Sequence, residues 1–367
     1  MHSNKINGQK KNIFYLDILS VLSAFAVVML HNNLVIWQYP TGTVWVSGVL
    51  IDSVFYFAVP VFFMISGVTL IDYSTRCSLK DYFFRRLKRA VAPFILCSAA
   101  AFIIHASWNS SDLATWNFYK TFVWDVLNYR YMNVYWFFIP LFVIYLSMPV
   151  LTQIQNKIKT FTYMIIYGML TLVIVPFFCN LFNITLYIDT IASPITGSFL
   201  LFALIGYVLH NTELPKAVNY TIYAAGIAGF ILMFAGTLVC TPNGGPFSPL
   251  FRGYLNLPAM LQASALFLLF KNIAWGNLPR FLTTIVNYIK PHTLGIYLIH
   301  MHLIGNIAYR YTGLQPSLVY RTLGSVLIFI ICLFLCKALE QIPFVSWAMG
   351  KDTPQWLLNK LGKGKNQ

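Results

Sequence analysis

The chain reads as an all-α integral membrane protein with about ten membrane-spanning helices and both termini in the cytoplasm. Three observations predict this. First, of 367 residues 58% are hydrophobic and only 10% charged, with a mean hydropathy of +0.67. A soluble domain carries roughly 25% charged residues, so this chain has too few charges to cover a globule in water. Second, apolar runs recur along it at lengths suited to a bilayer, which takes about 20 residues per helix. Third, the basic residues segregate to one side of those runs.

The runs give ten candidate spans: 13–37, 45–72, 90–107, 135–154, 161–179, 195–210, 218–240, 251–274, 291–310 and 319–340. The sixth is short and the eighth contains Pro258. The first is too long for a cleavable leader and lacks a small-residue cleavage site, so it is expected to be a retained span. The segment 277–290 is amphipathic and is expected to lie on the cytoplasmic surface before the ninth span. With the N-terminus inside, 20 of the 25 Lys and Arg residues fall on the cytoplasmic side. Lys120, Arg130, Arg252, Arg310 and Arg321 remain outside. The net charge of +15 is then mainly topological, and nucleic acid is not an expected partner. The whole chain, 1–367, is expected to form one membrane domain, with 1–12 and 342–367 as cytoplasmic tails.

The outer loop 108–134 carries Trp108, Trp116, Tyr119, Trp124, Tyr129 and Tyr131. It reads first as an interfacial aromatic belt and second as a rim that stacks on sugar rings. The six cysteines show no metal-like spacing, and no metal site is expected. Cys179 and Cys240 both fall near the outer face, where geometry would decide whether they pair. No inverted pair of broken helices is visible, which argues against a secondary transporter.

Ionisable groups inside a span are costly and are functional hypotheses by default. Asp17 and His31 fall in the first span, Asp52 in the second, and His300 and His302 in the ninth. Ser20 lies eleven residues before His31, close to three helical turns, and Asp17 fourteen, nearly four. One side of the first helix therefore carries a polar line, Asp17–Ser20–His31, rising roughly 16 Å from Ser20 to His31. Such a line suits a helix bordering a polar tunnel. A histidine satisfied by a neighbouring helix is the plainer reading. Asp52 lies at similar depth on the next span and is a candidate to hold the His31 imidazole; capping an outer turn is the alternative. Tyr297 and His300 share a helix face, and His300 reads equally as an interhelical hydrogen bond or a chemical group. On the cytoplasmic side, Arg85, Arg86 and Arg89 abut the third span. They read as a lipid anchor or as a site for a phosphate-rich cytosolic ligand, to which Arg is suited.

These pieces, in order, resemble the acyltransferase 3 family of membrane acyltransferases. The resemblance rests on Tyr15-Leu16-Asp17-Ile18-Leu19 through Val27-Val28-Met29-Leu30-His31, then Val59-Pro60-Val61-Phe62-Phe63-Met64-Ile65-Ser66-Gly67. It continues through Tyr82 to Arg89 and Pro93-Phe94, then Trp136-Phe137-Phe138 to Pro149. It ends on Thr293-Leu294-Gly295-Ile296-Tyr297-Leu298-Ile299-His300. The branch it looks most like contains the surface-glycan O-acetyltransferases, such as that of the enterobacterial common antigen. The chain departs from the family pattern twice: Ser20 stands at the family's Arg position, and Val134 at its usual His. The missing Arg leaves room for another cation, one of 85–89 being a candidate.

The resemblance implies transfer of an acyl group, commonly acetyl, from cytosolic acyl-CoA to a glycan hydroxyl, in the bacterial cytoplasmic membrane. It implies a stand-alone enzyme without a fused hydrolase-like domain. It also implies His31 as the essential histidine, acting either as general base or as acyl carrier. With the residue reading, the expected catalytic set is His31, Asp52 and Asp17. Arg85, Arg86 and Arg89 would serve the acyl-CoA, with Ser20, Tyr297 and His300 in support. The expected partners are acyl-CoA, a surface or lipid-linked glycan and the bilayer, with no metal. The second reading is a lipid or polysaccharide exporter, or an inactive relative that binds a glycan carrier.

Overall fold

The computed structural model describes residues 13–38, 42–108, 124, 126, 128, 132–185, 197–241, 247–342, 345 and 346, with backbone alone for 104–108. The described residues form helices and no strands. Six helical stretches are long and apolar enough to cross a membrane: Phe14–Gln38, Gly42–Thr75, Asn133–Leu151, Lys157–Leu181, Lys216–Cys240 and Tyr320–Leu339. Helices also stand at the four other places expected to span. These are Ala92–Trp108, Leu200–Asn211, Leu257–Asn272 and Thr293–Arg310, of 17, 12, 16 and 18 residues.

Helix α1 (Phe14–His31) sits at the centre of the bundle. The first span is not continuous: α1 ends at Asn32 and α2 (Val35–Gln38) is a separate short turn. Asn32 and Asn33 make the break because their side chains are committed elsewhere. Asn33 Nδ2 donates to the Gly48 carbonyl at 2.7 Å, and Asn32 Nδ2 donates to the Tyr320 carbonyl and to Ser325 Oγ. Their amides tie the end of α1 to two other elements, satisfying groups that would otherwise be buried without partners. The second span likewise divides, into α3 (Gly42–Phe55) and α4 (Ala58–Leu70).

The amphipathic α5 (Leu79–Arg86) runs through a π-turn at Leu87–Val91 into α6 (Ala92–Trp108). A second π-turn, Met169–Ile174, joins α8 (Lys157–Gly168) to α9 (Val175–Leu181); α7 (Phe138–Leu151) precedes them. Pro93 and Pro176 follow these two turns closely. A proline lacks the N–H and clashes with the carbonyl four residues back, and widening the preceding turn relieves both problems.

Within the core α4 crosses α10 (Leu200–Asn211) closely. Gly67 and Gly206 allow it. A Cβ at Gly67 would lie 1.9 Å from the Ala203 carbonyl oxygen, and one at Gly206 would lie 2.4 Å from that of Met64. Small residues at crossings let helix backbones meet, the usual device where lipid provides no hydrophobic driving force. Gly67→Ala is therefore expected to force the two helices apart, at a cost of about 1–3 kcal/mol from overpacking. A lower midpoint of thermal unfolding in detergent will register it; an unchanged midpoint would mean the crossing is looser than described.

The remaining helices are α11 (Lys216–Cys240), α12 (Leu257–Asn272), α13 (Arg280–Ile289), α14 (Thr293–Arg310) and α15 (Ser325–Leu339). The eighth expected span starts six residues later than anticipated. Asn256 is its N-cap and Pro258 stands in its first turn rather than inside it, where the missing N–H costs nothing. The amphipathic segment 277–290 contains α13. It leaves Phe281, Leu282, Ile285 and Tyr288 exposed, an apolar stripe suited to the lipid interface. All six cysteines are free, so the Cys179–Cys240 bridge left open by the sequence is not formed. The loop 108–134 lies largely outside the described residues.

Candidate functional site

The polar line on α1 faces one neighbouring segment, residue by residue. Asp17 Oδ1 pairs with Lys290 Nζ at 2.7 Å. Ser20 Oγ lies 3.4 Å from Thr293 Oγ1, which itself donates to the Lys290 carbonyl. His31 Nδ1 lies 2.8 Å from His300 Nε2. Positions 17, 20 and 31 thus meet 290, 293 and 300 in order, so α1 and α14 run parallel. The line expected to border a tunnel is instead met by protein partners. Asp17 is 5% exposed, whereas Ser20 and His31 stay half-buried.

The two imidazoles are stacked, with ring centroids 4.9 Å apart. Their hydrogen bonds fix the tautomers. His300 Nδ1 is 2.6 Å from the Tyr297 carbonyl and 3.2 Å from that of Ile296. Carbonyls only accept, so His300 Nδ1 carries the hydrogen. In the neutral ring His300 Nε2 is then an acceptor, and the 2.8 Å contact requires His31 Nδ1 to donate. That leaves Nε2 of His31 as a bare lone pair on a half-buried ring. His300 is fully buried. One histidine is thus held and oriented, and the other presents a base.

Asp52 does not do this orienting. Its carboxylate is gripped bidentately by Arg252, with Nε to Oδ2 at 2.7 Å and Nη2 to Oδ1 at 2.8 Å. The fork geometry of a guanidinium matches a carboxylate better than an imidazole does, and Asp52 is buried at 2% exposure. The expected His31–Asp52 contact is therefore replaced by His31–His300 and Asp52–Arg252. Arg252 is still close enough to interact electrostatically with His31.

Tyr297 braces the histidine helix. Its hydroxyl donates to the Val134 carbonyl, and Tyr135 Oη donates to the Leu298 carbonyl at 2.8 Å. These reciprocal bonds lock α14 to the turn Asn133–Phe137. They also show what occupies the Val134–Tyr135 positions: a backbone acceptor and a phenol that buttress α14.

The basic stretch before α6 divides. Arg85 and Arg89 are exposed, one helical turn apart. Arg86 is half-buried, its guanidinium 5.9 Å from the Tyr82 ring and 5.6 Å from the Tyr145 ring. Arg86 thus packs beside two tyrosine rings, while Arg85 and Arg89 are the more exposed of the three.

Residues 13–337 match the family profile described as the acyltransferase domain, acyltransferase 3. The chain belongs to this family. No curated protein and no solved structure matches the chain. The acyltransferase assignment covers nearly all of the described helices, from the start of α1 to the end of α15. The site lies within it.

Three charged residues of this acyltransferase take structural roles that charge counting does not reveal. Arg252 counts as an outer charge in the sequence, although its aromatic neighbours Phe251 and Tyr254 are a signal of packing. Lys290 counts as a topological charge, yet it holds Asp17 three residues from Ser20. Arg321 is 1% exposed, with donors to Asn33 Oδ1, Ser47 Oγ and the Pro316 carbonyl. No local pattern marks it; only the packing of α15 on the Asn32–Asn33 break does.

Proposed function

We propose that this acyltransferase moves an acyl group, acetyl in the simplest case, from acyl-CoA to a glycan hydroxyl. The proposal includes ten spans in the bacterial cytoplasmic membrane, with both termini in the cytoplasm. The observation that carries it is the oriented histidine pair. An alcohol is a poor nucleophile at neutral pH and needs a base within hydrogen-bond reach. His31 Nε2 takes the acceptor proton as the hydroxyl oxygen attacks the thioester carbonyl. The imidazolium that forms keeps its Nδ1–H bond to His300, which stabilises the added charge. Collapse of the tetrahedral intermediate breaks the C–S bond, and the proton returns from His31 to the leaving thiolate. The products are the acyl ester and the free thiol of CoA.

Donor and acceptor would approach from opposite ends of α1. Arg85 and Arg89, on the side read as cytoplasmic, suit the phosphates of CoA. Lys290, beside Asp17 and Ser20, offers a further cation there. The deciding experiment incubates the purified chain with labelled acetyl-CoA and a glycan acceptor, and follows thiol release and label transfer. Thiol release without label in the glycan would remove the glycan hydroxyl as the acceptor. Absence of both would favour an exporter or an inactive glycan-binding relative.

Two further outcomes are expected. Replacing Arg85 and Arg89 together by Ala should raise the half-saturating acetyl-CoA concentration about thirtyfold, as loss of two charge-assisted contacts of about 1 kcal/mol each implies. The half-saturating acceptor concentration should not move. An unchanged acetyl-CoA value in a folded double variant would reduce the pair to a lipid anchor. For topology, a reporter near residue 120 should be extracytoplasmic and one after Gln367 cytoplasmic; both on one side would break the ten-span arrangement.

A further inference from the structure

The Asp52–Arg252 pair is surrounded by aromatic rings in a way that orientation of His31 does not explain. The Arg252 guanidinium lies 4.3 Å from the Trp37 ring centroid, 5.2 Å from that of Tyr56 and 5.5 Å from that of Phe247. Trp37 meets Phe247 edge-on at 5.1 Å. From Tyr56 a ladder of rings runs inward. Tyr56 stacks on Tyr254 at 4.6 Å, and Tyr254 stacks on Trp136 at 5.4 Å. Arg252, Tyr254, Trp136 and His31 are all half-buried, so they border accessible space rather than solid core. Arg252 is within electrostatic reach of His31, and Tyr254 is within reach of Tyr297. The ladder therefore leads from Trp37 to the histidine pair.

Trp37 is 57% exposed. One side of its ring is fixed by the guanidinium and by Phe247, and the rest is open. The bidentate bond uses Nε and Nη2 of Arg252, which leaves the two N–H donors of Nη1 uncommitted by it. An open indole beside guanidinium donors fits a ligand with an apolar C–H face and hydroxyl acceptors at its edge. A pyranose ring has that form. The net charge of the Asp52–Arg252 unit is zero, because the guanidinium is already neutralised. A second carboxylate would gain little from Arg252 and would be repelled by Asp52, a penalty that discriminates between partners. Arg321, a second guanidinium at this end, is sealed at 1% exposure and presents no surface.

We propose that Trp37 and the Asp52–Arg252 pair form the acceptor subsite, and that it selects an uncharged pyranose over a uronic acid. This rests on the acyl-transfer reading for its purpose, but its binding chemistry can be tested without turnover. The full chain in nanodiscs is titrated with methyl β-glucopyranoside and with methyl β-glucopyranosiduronate, followed by saturation-transfer NMR. The neutral glycoside should show transfer that saturates, and the uronide should bind at least about tenfold more weakly, the factor that 1.4 kcal/mol carries. Trp37→Ala should abolish the neutral signal and Trp37→Phe retain part of it, with both variants folded by their unfolding midpoints. Equal binding of the uronide, no binding of either sugar to wild type, or an undiminished signal in Trp37→Ala would each overturn the subsite. If sugar binds as expected while acetyl-CoA releases no thiol, the acyl-transfer reading fails and the subsite stands.

Discussion

The His31→Gln chain should release thiol from acetyl-CoA about 10²–10⁴-fold more slowly than wild type, the contribution of a positioned general base. It should express and insert normally. Gln keeps a side-chain amide that can hydrogen-bond toward His300 if the chain bends, since the amide reaches the place of Nε2 rather than Nδ1. What it loses is the lone pair that Nε2 offers. His31→Ala removes the bond as well and should be at least as impaired. A purely structural histidine would give the opposite ranking, with Gln restoring both stability and turnover. The assay is acceptor-dependent thiol release, read beside the unfolding midpoint of each variant. A His31→Gln chain that transfers acetyl at a wild-type rate would remove His31 from the mechanism.

The membrane character and the helix positions were legible because they depend on local composition. Hydropathy finds a 20-residue apolar run wherever it lies, and the tenth expected span, 319–340, agrees closely with Tyr320–Leu339. Interruptions were less legible. The break at Asn32–Asn33 depends on acceptors in two other elements, Gly48 and Tyr320. The start at Leu257 was readable from the Asn256–Pro258 pattern, since an Asn cap followed by an early Pro marks a helix N-terminus. The site divides in the same way. His31 and His300 stood out alone because an imidazole is conspicuous in an apolar run. Their pairing did not, since they lie 269 positions apart. Sequence adjacency of the first two spans favoured Asp52 as the partner of His31. A guanidinium 200 positions away won, because two parallel N–H···O bonds outcompete one contact to a ring nitrogen. Charge counting places Lys290 with the cytoplasmic topological charges and Arg252 and Arg321 with the few left outside, the default reading for a basic residue near a span end. Only tertiary packing separates the structural cations from the rest.

The second large effect is expected at His300, which touches no reacting atom in this mechanism. It acts through His31, as the acceptor that holds the Nδ1–H tautomer and so keeps Nε2 free. His300→Leu fills a similar apolar volume but offers no acceptor. His31 would then be free to rotate or to adopt the other tautomer, with its proton on the nitrogen that should be the base. Turnover should fall at least about tenfold and at most by the ~10²–10⁴-fold of losing the base outright. His300→Gln packs worse, yet its side-chain oxygen reaches the place of Nε2 and can accept from His31 Nδ1. The orientation role therefore predicts that Gln recovers more activity than Leu while being the less stable of the two. A packing role predicts that Leu leads in both respects, because a buried Gln with an unmatched amide costs about 1–3 kcal/mol. Measuring kcat and the unfolding midpoint on the same preparations separates the two orders. If the Leu variant is both the more stable and the more active, His300 fills space and the tautomer of His31 is set elsewhere.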